Sequence, residues 1–466
     1  MPVITNIEDL RVLAQKRVPR MFYDYADSGS WTESTYKANE SDFQKIKLRQ
    51  RVAVNMEGRS TATEMIGQAT TMPVAIAPTG MTGMQHPDGE ILAARAAKKM
   101  GIPFTLSTMS ICSIEDVAKH AGEGFWFQLY MMKDRGFIER LIDRAKAANC
   151  KALVLTLDLQ ILGQRHKDLK NGLSAPPKLT IPNIINIATK PRWAFGMLAT
   201  SRRQFGNIVG HVSGVENMSS LSAWTAQQFD PALNWDDVEW VKQRWGGKLI
   251  LKGIQDVEDA RLAVRSGADA LIVSNHGGRQ LDGAPASIQA LPAIAQAVGS
   301  RTEVWMDGGI RSGQDVLKAW ALGARGTMIG RAMVYGLGAM GEAGVRRLVH
   351  ASALGVGAQA PSRYLRSKAA GEAVLQQAAQ AGTLDLTLLR PSLVVGAGDR
   401  SVNLFAQLQR LFPLMPLAGA GALMQPVWVQ DLARALVQVL LRPEAVGRTY
   451  DIAGPRVLTL GELVRL

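Results

Sequence analysis

Cysteine is almost absent from this chain: Cys112 and Cys150 are the only two in 466 residues. Two thiols cannot build a disulfide framework, and such sparing use suits a reducing compartment. Long apolar runs are missing as well. None approaches the roughly 18–20 residues that cross a bilayer, which excludes a spanning helix. The amino terminus, MPVITNIEDLRVL, has no basic-then-apolar signal pattern, so a cytoplasmic location is expected. Zinc-ligand spacings and basic runs interleaved with aromatics are also lacking, which argues against a bound metal and against a nucleic-acid partner.

One local absence is more telling. Between Asp168 and Glu216 there is no acidic residue, whereas Lys170, Lys178, Lys190, Arg192, Arg202 and Arg203 are all basic. They contribute to a formal net charge of +13. Among them lies an apolar, Trp-containing stretch at 184–198. Basic charge with Trp, Phe, Met and Leu is the composition of an interfacial anchor. The expected partner is an anionic membrane surface, with the protein peripheral on the inner membrane. A solvated loop that closes over substrate is the other reading.

What is present points to a globular protein, with 47% hydrophobic and 20% charged residues. Its length exceeds what one core fills, so two domains are expected. From residue 70 onward a short apolar run, a polar turn and a helical stretch recur. The apolar runs are 74–77, 104–107, 125–129, 153–157, 249–251, 271–274, 304–306 and 327–329. Helical periodicity follows most of them, for example at 90–100, 136–148, 257–265 and 314–322. Eight such units imply an α/β fold closed into a (β/α)8 TIM barrel. Ahead of it, Thr5-x-x-Glu8 reads as a capping box opening a helix. The carboxyl ends of the runs are polar, among them Thr79, Ser107, Gln128, Tyr130, Thr156, Asp158, Lys252, Ser274, His276 and Asp307. That rim forms the active-site face of this fold, so polarity there reads as chemistry.

Composition changes after about residue 346. Eighteen lysines precede that point and only Lys368 follows it, and nine of the ten tryptophans lie in the first part. The chain divides into a barrel domain over 1–346 and a second piece over 347–466. Residues 341–353 can start the eighth barrel helix, but Gly355, Gly357 and Pro361 cut it short.

The first part resembles the FMN-dependent L-2-hydroxy-acid dehydrogenase and oxidase family. The matching segments are MFYDYADSG (21–29), APTGMTGMQHPDGE (77–90), FQLYMMKDR (127–135), LTLDLQILGQRHKD (155–168), LKG (251–253), SNHGGRQLD (274–282), DGGIRSGQDVLKAWALG (307–323) and IGRA (329–332). The resemblance implies oxidation of a small L-2-hydroxy acid, L-lactate favoured, to the 2-oxo acid. Electrons would pass to a quinone or another acceptor, and the protein would be a homo-oligomer. His276 is a suitable base near neutral pH, and Asp158 would orient its ring. Arg165 and Arg279 occupy the family's carboxylate-binding positions, and Tyr25 and Tyr130 match its substrate-facing tyrosines. For the FMN, Lys252 would stabilise charge on the ring, while Ser107, Gln128 and Thr156 would bond its edge. The backbone of Thr79 and Gly80 would pass beside it, and Ser274 belongs to the same wall. Asp307, Gly309, Arg311, Gly330 and Arg331 resemble the ribityl and phosphate site. One departure is Gln160, where many members carry proline.

The second part resembles the later half of extended short-chain dehydrogenases, a partial Rossmann-like α/β fragment. Ser352 and Tyr364-x-x-x-Lys368 match that group's catalytic set, and LLRPSLVVGAGD (388–399) and PVWVQDLARAL (426–436) match later segments. The dinucleotide-binding fingerprint is missing upstream. Gly355-x-Gly357-x-x-Ala360 sits where the loop after the serine strand belongs, not after a first strand. Three functions compete: a flavin-dependent hydroxy-acid dehydrogenase with a silent tail, an NAD(P)-dependent reductase, and a non-catalytic fusion. Bound flavin separates the first from the others.

Overall fold

A computed structural model describes residues 4, 6–49, 59–173, 180–212, 228–351, 363–380, 385–396 and 419–465. They form two compact units, 10–345 and 346–466 with 1–9.

The chain begins with α1 (Ile7–Arg17), most of it in the larger unit, followed there by α2 (Arg20–Ala26) and α3 (Ser34–Ser41). Thr5 lies outside the described residues. Among the described residues, the Asn6 N–H donates to Asp9 Oδ2 and the Asp9 N–H to Asn6 Oδ1, a reciprocal cap at the start of α1.

Eight parallel strands follow: β1 (Val74–Ile76), β2 (Thr105–Ser107), β3 (Trp126–Tyr130), β4 (Ala152–Thr156), β5 (Lys248–Ile254), β6 (Ala270–Val273), β7 (Glu303–Asp307) and β8 (Gly326–Ile329). From β2 onward each pairs with the next, and β8 pairs with β1. A parallel bridge between Ile76 and Phe104 joins the remaining edges, so the strands form a TIM-like barrel. The strands are short buried apolar runs because helices cover one face and side chains fill the other. Inside, the rings of Trp126 and Trp305 stack 5.3 Å apart. Ala75, Ala152 and Ala270 leave them room, and Met65 and Ile66 from a hairpin close the same cluster.

Between strands run α4 (Gly89–Met100), α5 (Ile114–Ala121) and α6 (Arg135–Ala147), then the inserted α7 (Ile181–Ala188) and α8 (Pro191–Ala199). The barrel resumes with α9 (Trp235–Trp245), α10 (Val257–Arg265), α11 (Ser287–Val298) and α12 (Gly313–Ala321). Side chains at their first turns fix where several start: Ser113 with Asp116 on α5, Asp134 on α6, Asn234 with Asp237 on α9 and Ser312 on α12.

The eighth unit departs from expectation. α13 (Arg331–Met340) follows β8, and α14 (Glu342–Arg346) is a short helix that ends where a strand starts. Residues 347–351, which periodicity read as the start of a helix and the short-chain dehydrogenase resemblance as the serine strand, are β9 (Arg347–Ala351), paired in parallel with β10 (Asp385–Pro391). Ladder pairing with a distant segment has overridden a weak local helix signal. Beside β10 lies β11 (Thr449–Ile452), and α15 (Arg363–Gln380) and α16 (Val429–Leu441) pack on this three-stranded sheet. Leu389, Val439 and Ala445 form its core, and Arg390 bonds the buried Glu372 at 2.6 Å. This is the partial Rossmann-like fragment. Ser352 and the segment 355–361 lie outside the described residues; Tyr364 and Lys368 stand one turn apart on α15.

Candidate active site

At the carboxyl ends of the barrel strands the loops enclose a cavity of about 410 Å³. His276 reaches it from the loop after β6. Its φ is 57°, and Gly277 and Gly278 follow at 66° and 71°. Outside glycine this left-handed conformation is uncommon, and here neighbouring groups hold it. Ser274 Oγ accepts the His276 backbone N–H at 3.1 Å, and the ring Nδ1 bonds Asp158 Oδ1 at 2.9 Å. With Nδ1 engaged, Nε2 faces the Tyr130 hydroxyl at 3.4 Å. Burial pushes the Asp158 carboxyl up. The charge and hydrogen bond of His276, followed by the charge of Lys252, outweigh it and hold the group below its ordinary value.

Glycine is required behind this pair. Strand β5 shifts register between Lys252 and Ile254, and the intervening Gly253 has φ 105°. A Cβ there would stand 2.8 Å from Asp158 Cβ. The bulge lets Asp158 approach while Lys252 keeps its place on the barrel wall.

Arg165 and Arg279 flank Tyr25, their guanidinium carbons 5.6 Å and 4.6 Å from its ring centroid. Arg165 bonds Asp168 Oδ2 at 2.6 Å, a partner at i+3. Arg279 donates to the carbonyls of Tyr25 and Ser28. Burial, then the Arg165 cation, brings the Arg279 guanidinium down to about 10, which leaves it charged at neutral pH. Two guanidinium groups against one carboxylate leave a cationic surplus, which an anionic ligand would neutralise.

The opposite wall is built from the remaining candidates. Lys252 Nζ pairs with Asp307 Oδ2 at 2.9 Å and donates to Ser274 Oγ at 2.9 Å. Ser107 Oγ donates to Gln128 Oε1 at 3.1 Å, and Gln128 Nε2 donates to Thr156 Oγ1 at 3.0 Å. Thr79, Gly80, Gly309, Gly330, Arg311 and Arg331 line the cavity. Gly309 is held to glycine by packing, since a Cβ would meet the Asn39 carbonyl. Arg331 donates to the carbonyls of Ala26, Gly277 and Ser28, and Arg311 pairs with Glu40. Ser107, Gln128, Thr156, Asp158 and Ser274 do not line the cavity: Asp158 and Ser274 bond the lining His276 and Lys252, Ser107 Oγ accepts the Met109 N–H, and Gln128 and Thr156 continue the chain of bonds from Ser107.

This wall fits FMN. Asp307 Oδ1 is buried with no protein hydrogen-bond partner, an acceptor suited to a ribityl hydroxyl. Gly330 opens α13, whose first N–H groups, with Arg311 and Arg331 beside them, suit a phosphate.

Sequence reasoning missed Asp168 and the apolar wall of Met81, Met109, Leu162, Phe205 and Phe229. Phe229 stands edge-on to Tyr130 at 5.9 Å. It lies within the long stretch between β4 and β5, where no local pattern announces a ligand-facing ring. Gln160 ties its loop down by donating to the Leu233 carbonyl at 2.8 Å.

A family model described as FMN-dependent dehydrogenase matches residues 14–353. A model of the NAD dependent epimerase/dehydratase family matches 331–453. An L-lactate dehydrogenase of Xanthomonas campestris is 46% identical over 348 residues, covering 74% of this chain and 90% of that protein. One from Pseudomonas syringae is 44% identical over 349 residues, with 74% and 91% covered. Among solved structures, the monotopic membrane protein (S)-mandelate dehydrogenase superposes with a TM-score of 0.70 at 35% identity, over 81% of this chain and 95% of its own. A mandelate oxidase gives 0.61 at 32%, over 82% and 96%. The chain belongs to the FMN-dependent dehydrogenase family and is an L-2-hydroxy-acid dehydrogenase that uses FMN.

Proposed function

We propose that the cavity oxidises L-lactate to its 2-oxo acid and that the electrons pass to a membrane quinone. The observation that carries the chemistry is the His276–Asp158 pair, 2.9 Å apart, opening on the same cavity as Arg165 and Arg279. The two guanidinium groups hold the substrate carboxylate, and the Tyr25 and Tyr130 hydroxyls orient the hydroxyl end. His276 Nε2 accepts the proton that the substrate gives up, and Asp158 stabilises the imidazolium that results. Thr79, Gly80 and Lys252 would hold the ring of FMN, with Ser107, Gln128, Thr156 and Ser274 behind them, and Asp307, Gly309, Arg311, Gly330 and Arg331 its ribityl phosphate. When bound, the flavin supplies the two-electron acceptor. Phe229, Met109 and Leu162 close the apolar side of the cavity, which favours a short substrate side chain.

Quinone as acceptor rests on the insertion. Ile181, Phe195 and Leu198 on α7 and α8 are 74%, 71% and 69% exposed, and Ile184 and Ile185 are exposed beside them. No acidic residue occurs from 169 to 215. Exposed apolar side chains in basic surroundings suit anionic lipid, and a similar solved structure is named a monotopic membrane protein. No helix among the described residues is long and apolar enough to cross a membrane. A peripheral position on the cytoplasmic side of the inner membrane and a homo-oligomeric assembly belong to the same proposal. The test is lactate-dependent reduction of a soluble quinone analogue under air and under argon. Equal rates under both gases support a quinone acceptor. Oxygen consumption that outpaces quinone reduction overturns it.

A further inference from the structure

Three consecutive residues, 205–207, form a strap outside every motif assigned to flavin or substrate. Phe205 lines the cavity. The Gly206 N–H donates to the Ile111 carbonyl at 3.2 Å, and a Cβ at 206 would stand 2.7 Å from the Ser113 nitrogen. No side chain fits there without moving backbone. Asn207 is fully buried. Its Nδ2 donates to Ser110 Oγ at 3.0 Å and to the Ser107 carbonyl at 3.3 Å. Its Oδ1 accepts from the Ile114 N–H at 2.9 Å and from the Arg144 guanidinium at 3.3 Å.

Apart from Arg144, these partners lie on the loop 107–114 that follows β2. The loop starts at Ser107, bonded to Gln128, and carries Met109 into the cavity wall. From its other side, the buried Glu90 accepts the N–H groups of Gly83 at 2.9 Å and Ile111 at 3.0 Å. The loop is gripped between a carboxylate and an amide, neither of which lines the cavity. The strap is itself anchored upstream, where Arg202 pairs with Asp88 at 3.0 Å and Asp116 at 2.8 Å.

We propose that Asn207 is a positioning residue that sets where Met109 stands in the cavity wall and Ser107 behind it, and that Phe205 on the same strap limits the size of the substrate side chain. The side-chain amide is the group that can do this, because it donates to one end of the loop while accepting from the other. The inference rests on reading the cavity as a hydroxy-acid site.

Asn207→Asp keeps the shape and the accepting contacts, removes the Nδ2 donors, and turns an oxygen toward the Ser107 carbonyl. FMN affinity, titrated on apoprotein by quenching of flavin fluorescence, is expected to weaken about fivefold or more, the worth of one lost hydrogen bond. KM for L-lactate rises by a similar factor while kcat changes little. Wild-type FMN affinity, bound-flavin spectrum and KM in this variant would overturn the role of Asn207, even with a lowered melting temperature. If Asn207→Asp does not fold, Gly206→Ala carries the same expectation, because it pushes the strap off the loop with Asn207 in place. Phe205→Ala leaves every hydrogen bond intact. It is expected to raise kcat/KM for an aryl 2-hydroxy acid relative to L-lactate by about tenfold; an unchanged ratio overturns its part. A wild-type protein that neither binds FMN nor oxidises L-lactate refutes the functional reading. An active wild type with indistinguishable variants refutes only the strap.

Discussion

His276 Nδ1 lies 2.9 Å from Asp158 Oδ1 across the barrel mouth, joining the loops after the sixth and fourth strands. The bond fixes which ring nitrogen is committed and which faces the cavity. Asp158→Asn would present either a weaker acceptor or an NH2 group to Nδ1 and would no longer balance an imidazolium. Flavin reduction by L-lactate is expected to slow by about 10²-fold or more, with FMN still bound. Stopped-flow absorbance measures it. A variant as fast as wild type removes Asp158 from the chemistry.

Gly253 supports the same pair from behind. A methyl group at φ 105°, 2.8 Å from the Asp158 side chain, must move one of them. Gly253→Ala is expected to cost about 1–3 kcal/mol of stability and to slow turnover. Urea unfolding and steady-state kinetics read the two effects, and an unperturbed Gly253→Ala would show that the bulge tolerates a side chain.

Legibility followed the range of the interactions. Every barrel strand was readable because a parallel strand buried on both faces is a bare apolar run, and α10 begins and ends where its periodicity does. Thr79, His276, Asp307 and Arg331 were readable because each lies at or just past the carboxyl end of a barrel strand, whereas Tyr25 on α2 and Arg165 in the insertion were marked only by the family resemblance. β9 could not be read from local periodicity, because its partner, β10, lies more than thirty residues away; only the resemblance to short-chain dehydrogenases, with a strand before the serine, pointed to it. Asp27 was missed for the same reason. Its carboxylate accepts the hydroxyls of Tyr23, Tyr36 and Tyr335, the last 308 positions distant.

Asp27 also gives stability a pH dependence. Burial raises its carboxyl, but the hydroxyl of Tyr335 and then Arg11 bring it down to about 2. A folded value below the unfolded value near 4 stabilises the protein above about pH 4, and that contribution is lost as pH falls toward 2. The shift corresponds to roughly 2 kcal/mol. Asp27→Asn is expected to be less stable than wild type at neutral pH, with the gap narrowing between about pH 4 and 2. Chemical denaturation across that range measures it, and a gap independent of pH would exclude Asp27 as the source.

The insertion makes its own prediction. The protein is expected to co-sediment with anionic vesicles, less so as salt rises, because charges at the surface are screened within about 8 Å at physiological ionic strength. Replacing Ile184 and Phe195 together by aspartate removes apolar contact and adds repulsion. Binding by that variant equal to wild type would mean the exposed face serves another purpose.

The most direct measurement is anaerobic mixing of the FMN-loaded protein with L-lactate while the flavin absorbance is followed. Wild type is expected to bleach, and His276→Ala to retain the flavin but bleach on the order of 10²–10⁴ times more slowly. A wild-type flavin that L-lactate does not bleach, or a His276→Ala variant that bleaches at the wild-type rate, contradicts the assignment.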